Sequence, residues 1–143
     1  ASGEHVLSWE EMWELQQAGF RFYPHGLRHR RLNLLPDDEL ARELLASRHA
    51  MEAQLGRPGP VFCYPYGDYD ARVMEAARAA GYLGACGLRP ELNRSPDQLW
   101  DLSRFMVLRT TTARGFRSRV TGAFGCYAAM RRLLRGGRST PDR

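Results

Sequence analysis

The chain of 143 residues has no lysine at all: every one of its 21 basic residues is arginine. We read that as codon usage rather than a demand for guanidinium groups, and it carries no function by itself. Long apolar runs are also missing. No segment approaches the ~20 consecutive apolar residues of a membrane-spanning helix, so no transmembrane segment is expected. The three cysteines, Cys63, Cys86 and Cys126, lie far apart and form no C-x-x-C pair, which argues against a zinc ribbon or a disulfide scaffold. Buried free thiols are the plainer expectation. A Cys63 to Cys86 disulfide stays open if the protein is exported, since both lie in strand-like runs. Acids are absent between residues 102 and 141, a stretch with nine arginines, whereas residues 1 to 101 hold 11 arginines against 15 acids. The net charge of +5 is therefore a C-terminal property. Such a block could meet phosphates or an anionic membrane, but a solvated helix face is the commoner meaning. Interleaved aromatics and a recognisable reading module are lacking, so no nucleic-acid partner is expected. No secretory signal is visible, and the missing initiator Met leads us to expect a processed or truncated chain.

What is present fits one soluble-type domain, with 43% hydrophobic and 26% charged residues. Ser8-Trp9-Glu10-Glu11 reads as a capping box that starts a helix, with Trp9, Met12 and Trp13 on a buried side and Gly19 closing it. Phe20 to Tyr23 then looks like a strand that delivers Pro24-His25 into a loop. A second helix opens at Leu35-Pro36-Asp37-Asp38-Glu39, buries Leu40, Leu44, Leu45, Met51 and Leu55, and stops at Gly56 and Pro58. Pro60 to Tyr64 is a short strand, Pro65 to Asp70 a turn, and Asp70 the cap of a helix from Ala71 to about Ala80. Tyr82 to Leu88 and Phe105 to Leu108 are further strand candidates, and a last helix lies between Gly115 and Leu134. Strands alternating with helices predict an α/β fold with a parallel sheet and functional loops at the carboxyl ends of its strands.

His25 and His29 carry the chemistry. They stand four apart across the flexible Gly26, after a strand, and two imidazoles at that spacing can converge on one metal ion. The helical H-E-x-x-H zinc motif is excluded, because position 26 is Gly and offers no carboxylate. His5, near a terminus, and His49, within a helix, are expected to be surface or packing residues.

Three segments in order, Leu7-Ser8-Trp9-Glu10-Glu11-Met12, His25-x-x-x-His29-Arg30-Arg31-Leu32 and Tyr64-Pro65-Tyr66-Gly67-Asp68-Tyr69-Asp70, resemble the polysaccharide deacetylase (NodB-homology) family. The resemblance runs to about Val107. It implies a distorted (β/α) barrel hydrolase that removes acetyl groups from N-acetylated sugars with a divalent metal, often zinc. His25 and His29 would be metal ligands. The metal would polarise the acetamide carbonyl and lower the pKa of its bound water. Tyr66 occupies the position whose backbone amide helps hold the oxyanion, between a rigid Pro65 and a permissive Gly67 that would shape the substrate side of the turn. Trp100 is a weak candidate for stacking on a sugar ring; Trp9 and Trp13 fit a buried helix face better.

The departures are equally specific. The family's T-F-D-D-G motif, source of the catalytic base and the third metal ligand, precedes the histidines by several tens of residues, and this chain starts too late to contain it. Asp37 and Asp38 follow the histidines and fit a helix start, so they do not replace it, and Asp68 and Asp70 are better explained by turn formation and capping. Many members carry Arg two residues before the proline, where Cys63 stands here. The late L-x-H that protonates the leaving amine has no counterpart, and Leu108-Arg109-Thr110 stands in that region. We therefore expect a partial barrel over residues 1 to 135, lacking its first βα units, and a disordered basic tail over 136 to 143. The alternative is a catalytically silent domain that binds carbohydrate or an anionic partner. Family members commonly act outside the cytoplasm, which suggests the cell envelope; the oligomeric state is not legible.

Overall fold

The computed structural model describes residues 6–56, 59–89 and 91–123. Helix α1 (Trp9–Gln17) begins on the expected capping box: the Glu11 amide donates to Ser8 Oγ at 3.2 Å, and the Ser8 amide donates to the Glu11 carboxylate at 2.7 Å. Gly19 follows at φ +93°. The expected buried face is a different matter. No residue of α1 is buried, and Trp9 and Trp13 are 39% and 53% exposed. Its main packing partner among the described residues is α2, with Gln16 Nε2 donating to Leu55 O at 3.3 Å.

Phe20 to Tyr23 forms no strand. Phe22 O accepts from Gly59 N at 3.3 Å and Pro24 O from Cys63 N at 3.0 Å. Pro24 has no N–H to return, which breaks a ladder at this point. A 3-10 turn at Leu32–Leu34 then leads into α2 (Asp37–Leu55), whose first turn carries Asp37, Asp38 and Glu39 at the positive end of the helix dipole. Leu40, Leu44, Met51 and Leu55 are buried as expected. Leu45 is not, because one further residue rotates it about 100° from Leu44. Gly56 closes the helix at φ +75°; Pro58 lies outside the described residues.

The centre is a β–α–β unit. Strand β1 (Val61–Cys63) pairs in parallel with β2 (Gly84–Cys86), in the register Val61 to Gly84, Phe62 to Ala85 and Cys63 to Cys86. A parallel pair needs a crossover, here α3 (Ala71–Ala79), which Asp70 caps by accepting from Val73 N at 2.8 Å. Phe62, Tyr64, Val73, Ala77 and Ala85 on this unit meet Leu32, Leu40 and Leu44 in one buried cluster. Each large side chain buried there contributes about 1.5–3 kcal/mol.

The remaining strand expectations are trimmed. The 82–88 candidate is a strand only over Gly84–Cys86, and Phe105–Leu108 is not one. The neighbour of β2 on its far side is instead Leu102, which bridges Cys86 and exchanges 2.9 Å bonds with Ala85 O and Gly87 N. Met106, Val107 and Leu108 are all more than half exposed and pair with no strand among the described residues. Helix α4 (Ala113–Val120) starts before Gly115 because Thr112 caps it, Oγ1 accepting from Gly115 N at 3.1 Å. The expected continuation to Leu134, Cys126, His5 and the 136–143 tail fall outside the described residues. Among the described residues no helix is long and apolar enough to cross a membrane.

Candidate active site

The loop that carries the histidines is held from beneath by one side chain. Glu43 of α2 is only 4% exposed, and its Oε2 accepts from the Leu27 amide at 2.8 Å and the Arg28 amide at 2.9 Å. Gly26 crosses just above at φ +81°, where a Cβ would stand 3.5 Å from both Glu43 Oε2 and Pro65 Cγ. His29 itself is left-handed, at φ 53°. For a residue with a Cβ that conformation costs about 1–2 kcal/mol, so the loop must be held by its surroundings.

The result brings His25 and His29 together, with ring centroids 4.8 Å apart and planes at 75°. His25 Nδ1 lies 2.7 Å from Cys63 O. A carbonyl can only accept, so Nδ1 donates, which in a neutral imidazole leaves the Nε2 lone pair for a metal. His29 packs edge-on to Tyr66, at 4.6 Å between centroids. Both histidines are exposed, and a cavity of about 540 Å³ elsewhere, lined by Gln16, Phe20, Phe22 and Tyr23 among others, does not include them.

The turn after β1 forms the other side. Pro65 is buried, Tyr66 is left-handed at φ 60° and ψ 0°, and Gly67 follows at φ +72°. The Gly67 amide donates to Tyr64 O at 3.0 Å and the Asp68 amide to Pro65 O at 3.2 Å. Among the described residues the Tyr66 amide has no acceptor, so a ligand oxygen is free to take it. Arg31 braces the turn, its guanidinium 4.5 Å from the Tyr66 ring centroid and paired with Asp68. Asp68 and Asp70 are thus spent on pairing and capping, and Asp37 and Asp38 pair with Arg72 and Arg42. None of these four joins the histidines, and among the described residues no group of three or more His, Cys, Asp or Glu side chains could hold a metal ion.

Behind the site, Cys63 and Cys86 are free thiols with sulfurs 3.3 Å apart, and Arg104 Nη1 lies 3.3 Å from Cys63 Sγ. The hydrogen bond from Cys86 lowers the Cys63 pKa to about 6, with Arg104 adding to the effect and burial opposing it. Donating that bond, together with burial, pushes the Cys86 thiol up. Burial likewise raises the Tyr64 hydroxyl, which stays a donor to Trp100 O at 3.1 Å. Trp100 is half-buried against the core beneath Arg78, whose guanidinium is 4.9 Å from the ring centroid. That placement makes it a packing residue first. His49 is exposed on α2.

Glu43 and Arg104 were not singled out from the sequence. For Glu43 a signal existed: it falls on the same stripe as Leu40, Leu44 and Met51, where an acid is out of place unless something binds it. Arg104 gave no signal among so many arginines.

The sequence profile of the polysaccharide deacetylases matches residues 1–85. This chain belongs to that family. A deacetylase-family protein of Bacillus subtilis (strain 168), YxkH, is 28% identical over 104 residues, which are 73% of this chain and 37% of that protein. Among solved structures, a polysaccharide deacetylase from Bacillus cereus, BC0361, superimposes with a TM-score of 0.71 at 27% identity, covering 83% of this chain and 38% of that one. The Streptococcus pyogenes deacetylase PplD, solved in complex with acetate, superimposes with a TM-score of 0.75 at 20% identity, covering 82% of this chain and 52% of that one. The chain therefore has the α/β fold of the polysaccharide deacetylases and spans about half or less of the length of these relatives.

Proposed function

We propose that this chain supplies part of the active site of a metal-dependent hydrolase that removes acetyl groups from N-acetylated sugars of a polysaccharide or oligosaccharide. The observation that carries the proposal is the convergence of His25 and His29 beside the Tyr66 turn, with His25 Nδ1 pinned by Cys63 O. The donor set fits a divalent ion such as zinc, for which neutral imidazole nitrogens are common ligands. His25 and His29 would hold it, and the remaining ligand and the catalytic base come from outside the described residues. When bound, such an ion polarises an amide carbonyl and makes hydroxide available near neutral pH.

The chain's own residues have separate duties. Cys63 O accepts from His25 Nδ1 and Glu43 fixes the peptide between the two histidines, and the Tyr66 amide would donate to a developing oxyanion. On this reading the described residues form one part of a distorted (β/α) barrel, and the complete protein works on glycans outside the cytoplasm. The test is acetate release from a chitin-type oligosaccharide by the full-length protein. We expect loss of at least a hundredfold in His25→Ala and in His29→Ala; unchanged turnover in both would refute the assignment. Binding of the oligosaccharide without acetate release by the wild type would instead favour a catalytically silent glycan-binding domain, for which the lack of a third ligand among the described residues speaks.

A further inference from the structure

The two cysteines on the central strands face each other across the sheet, Cys63 being the register partner of Cys86, with their sulfurs 3.3 Å apart. Adjacent strands lie about 4.8 Å apart, within the Cα separation that a disulfide spans, so the backbone already meets its main geometric demand. The same seam is the floor of the candidate site. Cys63 O accepts from His25, Cys86 O accepts from Tyr64 N at 3.0 Å, and the Tyr66 turn leaves directly from β1. Access to the two thiols differs: Cys63 is half-buried, and Cys86 is 7% exposed.

We propose that Cys63 and Cys86 are a modification site, a dithiol that closes to an intrachain disulfide and locks the β1–β2 seam under the histidines and Tyr66. The co-reactant is a low-molecular-weight disulfide such as oxidised glutathione. Cys63, the accessible thiol, gives up its proton and attacks one sulfur of that disulfide. The S–S bond breaks, one thiol departs with the proton, and a mixed disulfide forms on Cys63. Cys86 then attacks Cys63 Sγ, loses its own proton and expels the second thiol. Two protein thiols are oxidised by two electrons, and the small disulfide is reduced to two thiols. The bond also takes Cys63 Sγ away from Arg104 as an acceptor, while Arg104 Nε keeps its 2.9 Å bond to Gly87 O.

The experiment titrates the full-length protein with glutathione buffers from reducing to oxidising, quenches with an alkylating reagent, and reads intact mass, linked peptides and thermal melting. These readouts do not depend on what the site hydrolyses. We expect loss of two hydrogen atoms from the mass, one linked peptide pair joining Cys63 to Cys86, and a Tm higher by roughly 5–10 °C in the oxidised form. Cys86→Ser should stop at a stable glutathione adduct on Cys63, and Cys63→Ser should take up none at position 86. Alkylation of both Cys63 and Cys86 under the most oxidising buffer, a lasting mixed disulfide in the wild type, or linkage of either cysteine to Cys126 would each overturn the proposal.

Discussion

The two sides of the candidate site are held in different ways. The Tyr66 turn grows out of a strand: backbone bonds from Gly67 and Asp68 close it, and the β1–β2 pairing anchors it. The histidine loop has no strand of its own and depends on one buried carboxylate, Glu43, together with the carbonyl of Cys63. Both contain a left-handed residue other than glycine, His29 at φ 53° and Tyr66 at φ 60°. Backbone scaffolding distributes the load on one side; on the other it rests on one buried side chain and one carbonyl. Substitutions should therefore act unequally.

The largest effect is expected at Glu43. Glu43→Ala strands the Leu27 and Arg28 amides and should cost about 3 kcal/mol in urea unfolding, with metal affinity falling at least roughly tenfold. Glu43→Gln keeps an acceptor oxygen and should cost about 1 kcal/mol. Equal losses in the two variants would mean that packing, not hydrogen bonding, holds the loop. The next contrast is between two glycines. Gly67→Ala puts a Cβ 2.7 Å from Leu88 Cβ as well as requiring φ +72°, and should cost about 2–3 kcal/mol. Gly26→Ala meets only ordinary contacts at 3.5 Å, so the left-handed conformation alone should cost it about 1 kcal/mol. Thermal unfolding of the two variants ranks them.

Smaller effects probe the seam and the surface. Because the Cys63 pKa is lowered to about 6 in the folded protein, its thiolate should persist near pH 6, and alkylation should slow only as pH falls through that value. The sign follows from linkage: a depressed acid pKa adds stability above the unfolded-state value, and that stability is lost as pH falls through the folded one. Arg104→Met should return the alkylation midpoint toward an ordinary thiol, though only in part, since Cys86 is the larger cause. Arg31→Ala removes a half-exposed pair with Asp68 and a ring contact, and should cost less than about 1 kcal/mol.

Much of this arrangement was legible in the sequence wherever local chemistry decides the outcome. The Ser8 capping box, the Asp70 cap, the α2 stripe and the Pro65–Gly67 turn each need only neighbours within a few residues. Expectations that depended on distant partners fared worse. Phe20 to Tyr23 and Phe105 to Leu108 have the composition of strands but find no ladder among the described residues, and among those residues Trp9 and Trp13 are only partly covered. The histidine pair was readable from its spacing, whereas its support was not, because Glu43 reaches the loop from 15 and 16 residues away. The bond from His25 to Cys63 spans 38 residues and leaves no trace in either segment.

Metal content of the purified full-length protein tests the central claim most directly. One equivalent of a divalent ion should accompany the wild type and be lost in His25→Ala and in His29→Ala, with folding intact by circular dichroism. A wild type that takes up no ion when supplied with zinc, or variants that both retain a full equivalent, would contradict it.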